Sequence, residues 1–218
     1  MINEDKTRIL SYTLIAILGL CGTFVIIFLT VSNGVGVSPD SVSYISVARN
    51  LSNGNGFITY DGYPFLLQPP LYPIFLSVIN TIFNIDPLLS AGILNALLFG
   101  LIIFGTGLFF LNHLKSILLA LLGTSMILIS YVLIQSALLA LSETLFIFFL
   151  ILYINLFDRY KRKNEFTSLL LFSIAASLAC LTRYTGVVLI FIGVLGIFLW
   201  GGEILKKKNT DIFLSFFL

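Results

Sequence analysis

Apolar residues run almost unbroken through 9–32, 88–111, 116–134, 138–157, 166–182 and 185–200 of the chain. Each stretch approaches the ~20 residues that cross a hydrocarbon core, so the pattern predicts about six transmembrane helices. Residues 116–157 are twice the length of one span, which places a tight hairpin in "IQSALLALSE". The segment "LYPIFLSVINTIF", 71–83, is too short to cross and predicts an interfacial or re-entrant helix. The one long polar-mixed stretch is 36–73, within a loop over 33–87, far more than a turn between two spans requires.

Inside that stretch, Ser38 suits an N-cap and Pro39 a first helical position, with Asp40 in the first turn and Asn53–Gly54 as the stop. Val42, Ile45, Ala48 and Leu51 recur every three residues and predict an apolar stripe facing the membrane interface. Asp40 either complements the helix dipole or does chemistry at headgroup depth. Downstream, Pro69 and Pro70 fix an extended approach to the second short helix. The fold class is therefore all-α integral membrane, a single transmembrane domain over 1–218 with two interfacial helices in its first long loop.

Composition agrees: 58% hydrophobic and 10% charged residues, with a mean hydropathy of +1.06, exclude a soluble globule. If 71–83 does not cross, ten of the twelve basic residues share the N-terminal side: Lys6, Arg8, Lys115, Arg159, Lys161–Lys163 and Lys206–Lys208. The positive-inside tendency then makes the N-terminus cytoplasmic and loop 33–87 external, in a multi-pass protein of the cell membrane. Arg49 and Arg183 remain outside with Asp40, Asp61, Asp86 and Glu143. Glu143 and Arg183 sit near outer span ends, where a mutual ion pair, a snorkelling arginine and a phosphate-binding group are the alternatives. Tyr44, Tyr60, Tyr63 and Tyr72 are expected as interface anchors rather than sugar platforms. His113 lies with Lys115 on the inner side, which argues against catalysis. Cys21 and Cys180 fall in apolar runs and are not expected to pair. "NGNG" is a turn signal and no nucleotide loop.

The acid opening "DSVSYISVARNLSNGNGF", followed by "PPLYP", resembles the first outer loop of the GT-C superfamily. It looks closest to the glycosyltransferase 39-like proteins, the protein O-mannosyltransferase and aminoarabinose transferase type. "LSETLFIFFLILYINLF" and "ASLACLTRYTGVVL" look like the same family's fourth span and its fifth-to-sixth turn. The resemblance implies transfer of a sugar from a polyprenyl-phosphate carrier to an acceptor protein, lipid or glycan, with the lipid bilayer as medium and no nucleic acid. It implies Asp40 as the general base. Arg183, Glu143, Asp61, Tyr63, Pro69 and Pro70 are the expected substrate-binding residues. No cofactor is expected, although Asp40, Asp61 and Glu143 are the acids that a divalent metal would use. Many mannosyltransferase-type members carry an acidic pair at this helix start, and here Ser41 follows Asp40. The chain stops within "DIFLSFFL", the start of another apolar run, so the expectation is a truncated GT-C fold: the N-terminal part of a longer module, or an inactive fragment. The rival reading is a transporter-like or polyprenyl-lipid-binding protein without catalysis.

Overall fold

The computed structural model describes residues 2–163 and 165–199. Among them every extended element is a helix, as the apolar pattern requires in a medium where backbone groups find no water. Helix α1 (Ile2–Asn33) is followed by α2 (Pro39–Ser52), α3 (Leu71–Phe83) and α4 (Pro87–His113). Then come α5 (Ile117–Leu128), α6 (Tyr131–Leu138), α7 (Glu143–Lys163) and α8 (Phe166–Thr182). The last, α9 (Tyr184–Leu199), opens with a 3-10 turn.

α4 is the central helix. It runs antiparallel to α1, with Gly107 against Ile15, Gly100 against Gly19 and Gly92 against Thr30. A Cβ on Gly100 would stand 2.7 Å from the Gly19 carbonyl oxygen, so small residues set how closely these two backbones approach. Elsewhere α1 shows Leu20, Phe24, Phe28 and Val31 to the surroundings. On α4's other side, Asn155 of α7 donates to the Gly105 carbonyl (3.1 Å), and His113 reaches Asp158 (3.1 Å). α8 returns antiparallel along α7 through the Tyr153, Phe157, Tyr160 and Phe172 rings. Two ends result. One carries the 33–87 loop, the 139–142 turn and Arg183; the other carries His113 and the basic run of α7.

α1 and α4 are each long and apolar enough to cross a membrane, and the bent pair α5–α6 adds a third if counted as one span. The remaining expected spans are present as shorter or more charged helices. α8, with 17 residues, rises ~25 Å, a few ångströms short of the ~30 Å hydrocarbon core. Sequence expectations for the spans and for α2 need correction. The span expected at 116–134 is broken: α5 and α6 meet at 46°, after Thr124 and Ser125 turn their hydroxyls onto carbonyls one turn back, a contact that weakens and bends helices. α6 continues to Leu138, so the next helix starts at Glu143 and not at 138.

The second correction concerns α2. Its ends are as expected: Ser38 and Ser41 form a reciprocal capping box around Pro39, and Asn53 closes the helix before Gly54 at φ +78°. Its buried face, however, is Ser41, Tyr44, Ile45, Val47 and Ala48, while Val42 is exposed. The helix is docked on α3 and α4. Tyr44 stacks edge-on against Tyr72 (5.3 Å) and Phe65 (6.0 Å), so Tyr44 and Tyr72 are core residues rather than interface anchors. Tyr60 and Tyr63 stay exposed at the loop tip. Cys21 and Cys180 are free thiols.

Candidate active site

The site grows from a turn that two other segments hold. The Gly36 N–H donates to the Leu138 carbonyl (2.8 Å) and the Ala140 N–H donates to the Gly36 carbonyl (2.9 Å). From α4, the buried Asn95 amide donates to the Leu139 carbonyl (2.7 Å), and the Tyr72 hydroxyl donates to Asn95 Oδ1 (3.4 Å). Each bond satisfies a polar group that would be costly to leave unpaired in an apolar surround. Together they fix residues 138–142, and with them Ser142 and Glu143 at the start of α7.

Ser142 is fully buried. Its hydroxyl shares a hydrogen bond with the Tyr44 hydroxyl (3.1 Å) and accepts a long one from Arg183 Nη1 (3.5 Å). The same Nη1 pairs with Glu143 Oε1 at 2.5 Å. Of the three alternatives for these two residues, the ion pair is therefore present. It occupies one nitrogen of a guanidinium that carries five N–H donors. Glu143 Oε2 is buried without a hydrogen-bond partner. Burial pushes the Tyr44 phenol above its ordinary pKa, and the charges of Asp40 and Glu143 add to that, while Ser142 and Arg183 oppose it. Tyr44 is thus a neutral hydroxyl inside a field set by Asp40, Glu143 and Arg183.

Asp40 stands exposed in the first turn of α2 and accepts a hydrogen bond from Gln68 Nε2 at 3.0 Å. Gln68 immediately precedes the two prolines; Pro69 is buried and Pro70 occupies the N-cap position of α3. The Tyr184 hydroxyl donates to the Leu66 carbonyl (3.5 Å), tying the same stretch to the turn that carries Arg183. Asp61 and Tyr63 are elsewhere. They form the exposed tip of the 57–65 hairpin, where the Thr59 hydroxyl and the Tyr63 N–H donate to the Asp61 carboxylate. The Thr59 bond holds that carboxyl below its ordinary pKa. Asp40, Asp61 and Glu143 do not converge as a metal-binding group; among the described residues no three His, Cys, Asp or Glu side chains do.

Sequence reasoning singled out Asp40, Glu143, Arg183 and the prolines but missed Gln68 and Ser142. The signal for Gln68 was its place before Pro69, which restricts its backbone to extended conformations. Ser142 had only its adjacency to Glu143, since its partners are distant in sequence.

A family model described as dolichyl-phosphate-mannose-protein mannosyltransferase matches residues 55–211. The chain belongs to that family. No curated protein and no solved structure matches it. Gln68, Pro69, Pro70, Glu143 and Arg183 fall within the part matched to this family of membrane glycosyltransferases, and Asp40 on α2 lies before it.

In this mannosyltransferase-family chain the loop is clasped at its far end. Arg49 Nε and Nη2 donate to the two Asp86 oxygens, each at 3.0 Å, while Asp86 also caps α4 through the Leu88 N–H. The Arg49 bond holds the Asp86 carboxyl below the ordinary carboxylate range. A depressed folded-state pKa adds stability above the ordinary value of about 4, and that stability is lost as pH falls through the folded value. Asp86→Asn keeps a capping amide but removes the charge. Thermal unfolding in detergent should find this variant less stable than the parent at neutral pH, with the gap closing below about pH 4 and narrowing in high salt.

Proposed function

We propose that this protein transfers a sugar from a polyprenyl-phosphate donor to an acceptor at the loop end, on the external face of the cell membrane. The observation that carries the reading is the placement of Asp40–Gln68 and of the Tyr44–Ser142–Arg183–Glu143 network at the same end of a bundle of this family, with the Tyr184 hydroxyl on the Leu66 carbonyl linking their segments. The charge distribution supports the sidedness: the basic residues of α7 and the α4–α5 turn gather at the opposite end, as cytoplasmic ends do. An external transferase has no nucleotide sugars available, so a donor that has already crossed on a lipid suits it.

In this reading Asp40 takes the proton of the acceptor hydroxyl as that oxygen bonds to the anomeric carbon. The bond from that carbon to the phosphate oxygen breaks, and the lipid phosphate leaves with the electron pair. Gln68 holds the carboxylate in place. Arg183 meets the phosphate charge, and Glu143 holds the guanidinium at the membrane border until the donor arrives. Tyr63 and Asp61 would approach substrate from the hairpin tip, and Pro69 and Pro70 would shape the wall beside Asp40. The principal polar residue within a span, Asn95, is engaged with Leu139 and Tyr72, which favours a transferase over a transporter with a midplane site.

Two outcomes follow. Asp40→Asn should lower sugar transfer about 10²- to 10⁴-fold, because the amide fits the same helix start but accepts no proton, while donor binding persists; Arg183→Ala should instead weaken donor binding. Transfer and binding assays with one polyprenyl-phosphate sugar separate the two, and near-normal turnover by Asp40→Asn removes it as the base. For sidedness, an impermeant thiol reagent on intact cells should label a cysteine placed at residue 53 and spare one at 161; the reverse overturns the external site.

A further inference from the structure

A second cleft lies on the opposite face of α2 from the buried Tyr44. It has a volume of about 600 Å³, and its walls include Ser46, Arg49 and Asn50 of α2 with Asn55, Thr59 and Tyr60 of the following loop. That is a ligand-sized space. Its floor is fixed by its own hydrogen bonds: Asn50 Nδ2 donates to the Ile58 carbonyl (2.6 Å) and Asn55 Nδ2 to Asn50 Oδ1 (3.4 Å). The Asn55 N–H also donates to the Asn50 carbonyl (2.9 Å). Preorganised donors and acceptors of this kind lose little freedom when a ligand arrives.

The chemistry of the walls selects the ligand class. Arg49 is the cationic wall residue, and Asp86 holds it through two nitrogens and both carboxylate oxygens, unlike the single Nη1–Oε1 contact of Arg183 with Glu143, so this pair presents little net charge to a phosphate or carboxylate in the cleft. What remains is neutral: amides, hydroxyls and one aromatic ring, Tyr60, 71% exposed at the rim. An extended peptide would need a free strand edge or an apolar side-chain pocket. On the cleft side the outer edge of the 57–65 hairpin is already occupied at Ile58, whose N–H donates to the Gly56 carbonyl (3.0 Å) and whose carbonyl accepts from Asn50 Nδ2 (2.6 Å), and Ile58 is the aliphatic wall residue. A saccharide fits the remaining set, since each hydroxyl both donates and accepts and its C–H face can lie on a phenol ring.

We propose that this cleft binds a neutral oligosaccharide, the glycan already present on the acceptor, with Tyr60 as its platform and Asn50 and Asn55 as its hydrogen-bonding partners. The acceptor role rests on the transferase reading above; the binding itself does not. Calorimetric titration of the detergent-solubilised protein with soluble mannotriose tests it. Tyr60→Ala, which removes an exposed ring and no packing, should weaken binding about tenfold, whereas Asp40→Asn should leave it unchanged. Loss of binding in Asp40→Asn would place the saccharide at the other site and overturn the proposal. So would no binding by the parent protein, an unchanged affinity in Tyr60→Ala, or equal or tighter binding of an uncharged Ser/Thr peptide. If instead Asp40→Asn retains full transfer while Tyr60→Ala loses mannotriose, the cleft stands and the base assignment falls.

Discussion

The arrangement depends on satisfying backbone groups of the 138–142 turn where there is little water to do so. A turn that ends one apolar helix and starts the next leaves carbonyls and amides without helical partners. Here Gly36 takes one carbonyl and offers its own, and Asn95 takes the next. These contacts join the end of α1, the middle of the 33–87 loop's anchorage on α4, and the start of α7 in one place. A Cβ at residue 36 would stand 2.6 Å from the Leu139 side chain, so a larger residue there would have to displace that side chain. Ser142 and Glu143 inherit their positions from it, and Arg183 is then drawn to Glu143 from the α8–α9 turn.

Much of this was legible because it is local. Caps, prolines and the length of an apolar run act within a few residues, so α2, α3 and the stop at Asn53 could be read directly from Ser38, Pro39, Pro70 and Gly54. The break between α5 and α6 was not legible. Thr124 and Ser125 sit in an otherwise apolar run, and whether such hydroxyls bend a helix depends on where they point. α2's face was misread for a related reason. Counting apolar residues alone favoured Val42 and passed over Ser41 and Tyr44, whose hydroxyls are buried only because Ser38 and Ser142 meet them.

The candidate site divides the same way. Asp40, Glu143 and Arg183 stood out as charges near membrane ends, where ionised groups are costly without a purpose. Their grouping came from contacts far apart in sequence, Tyr44 with Ser142 and Asp40 with Gln68, which no spacing rule encodes. Asp61, equally conspicuous as a loop acid, proves to be bonded within its own hairpin tip. The mannosyltransferase family match, over residues 55–211, takes in Gln68, Glu143 and Arg183 and stops short of Asp40 and Tyr44.

The central claim is that the donor's headgroup meets the protein at the end bearing Gln68 and Arg183. A photoreactive residue placed at 68, and separately at 112 on the exposed basic end of α4, would test it with a radiolabelled polyprenyl-phosphate sugar. The account predicts covalent capture at 68 that excess unlabelled donor suppresses, and none at 112. Specific capture at 112 without capture at 68 would contradict it.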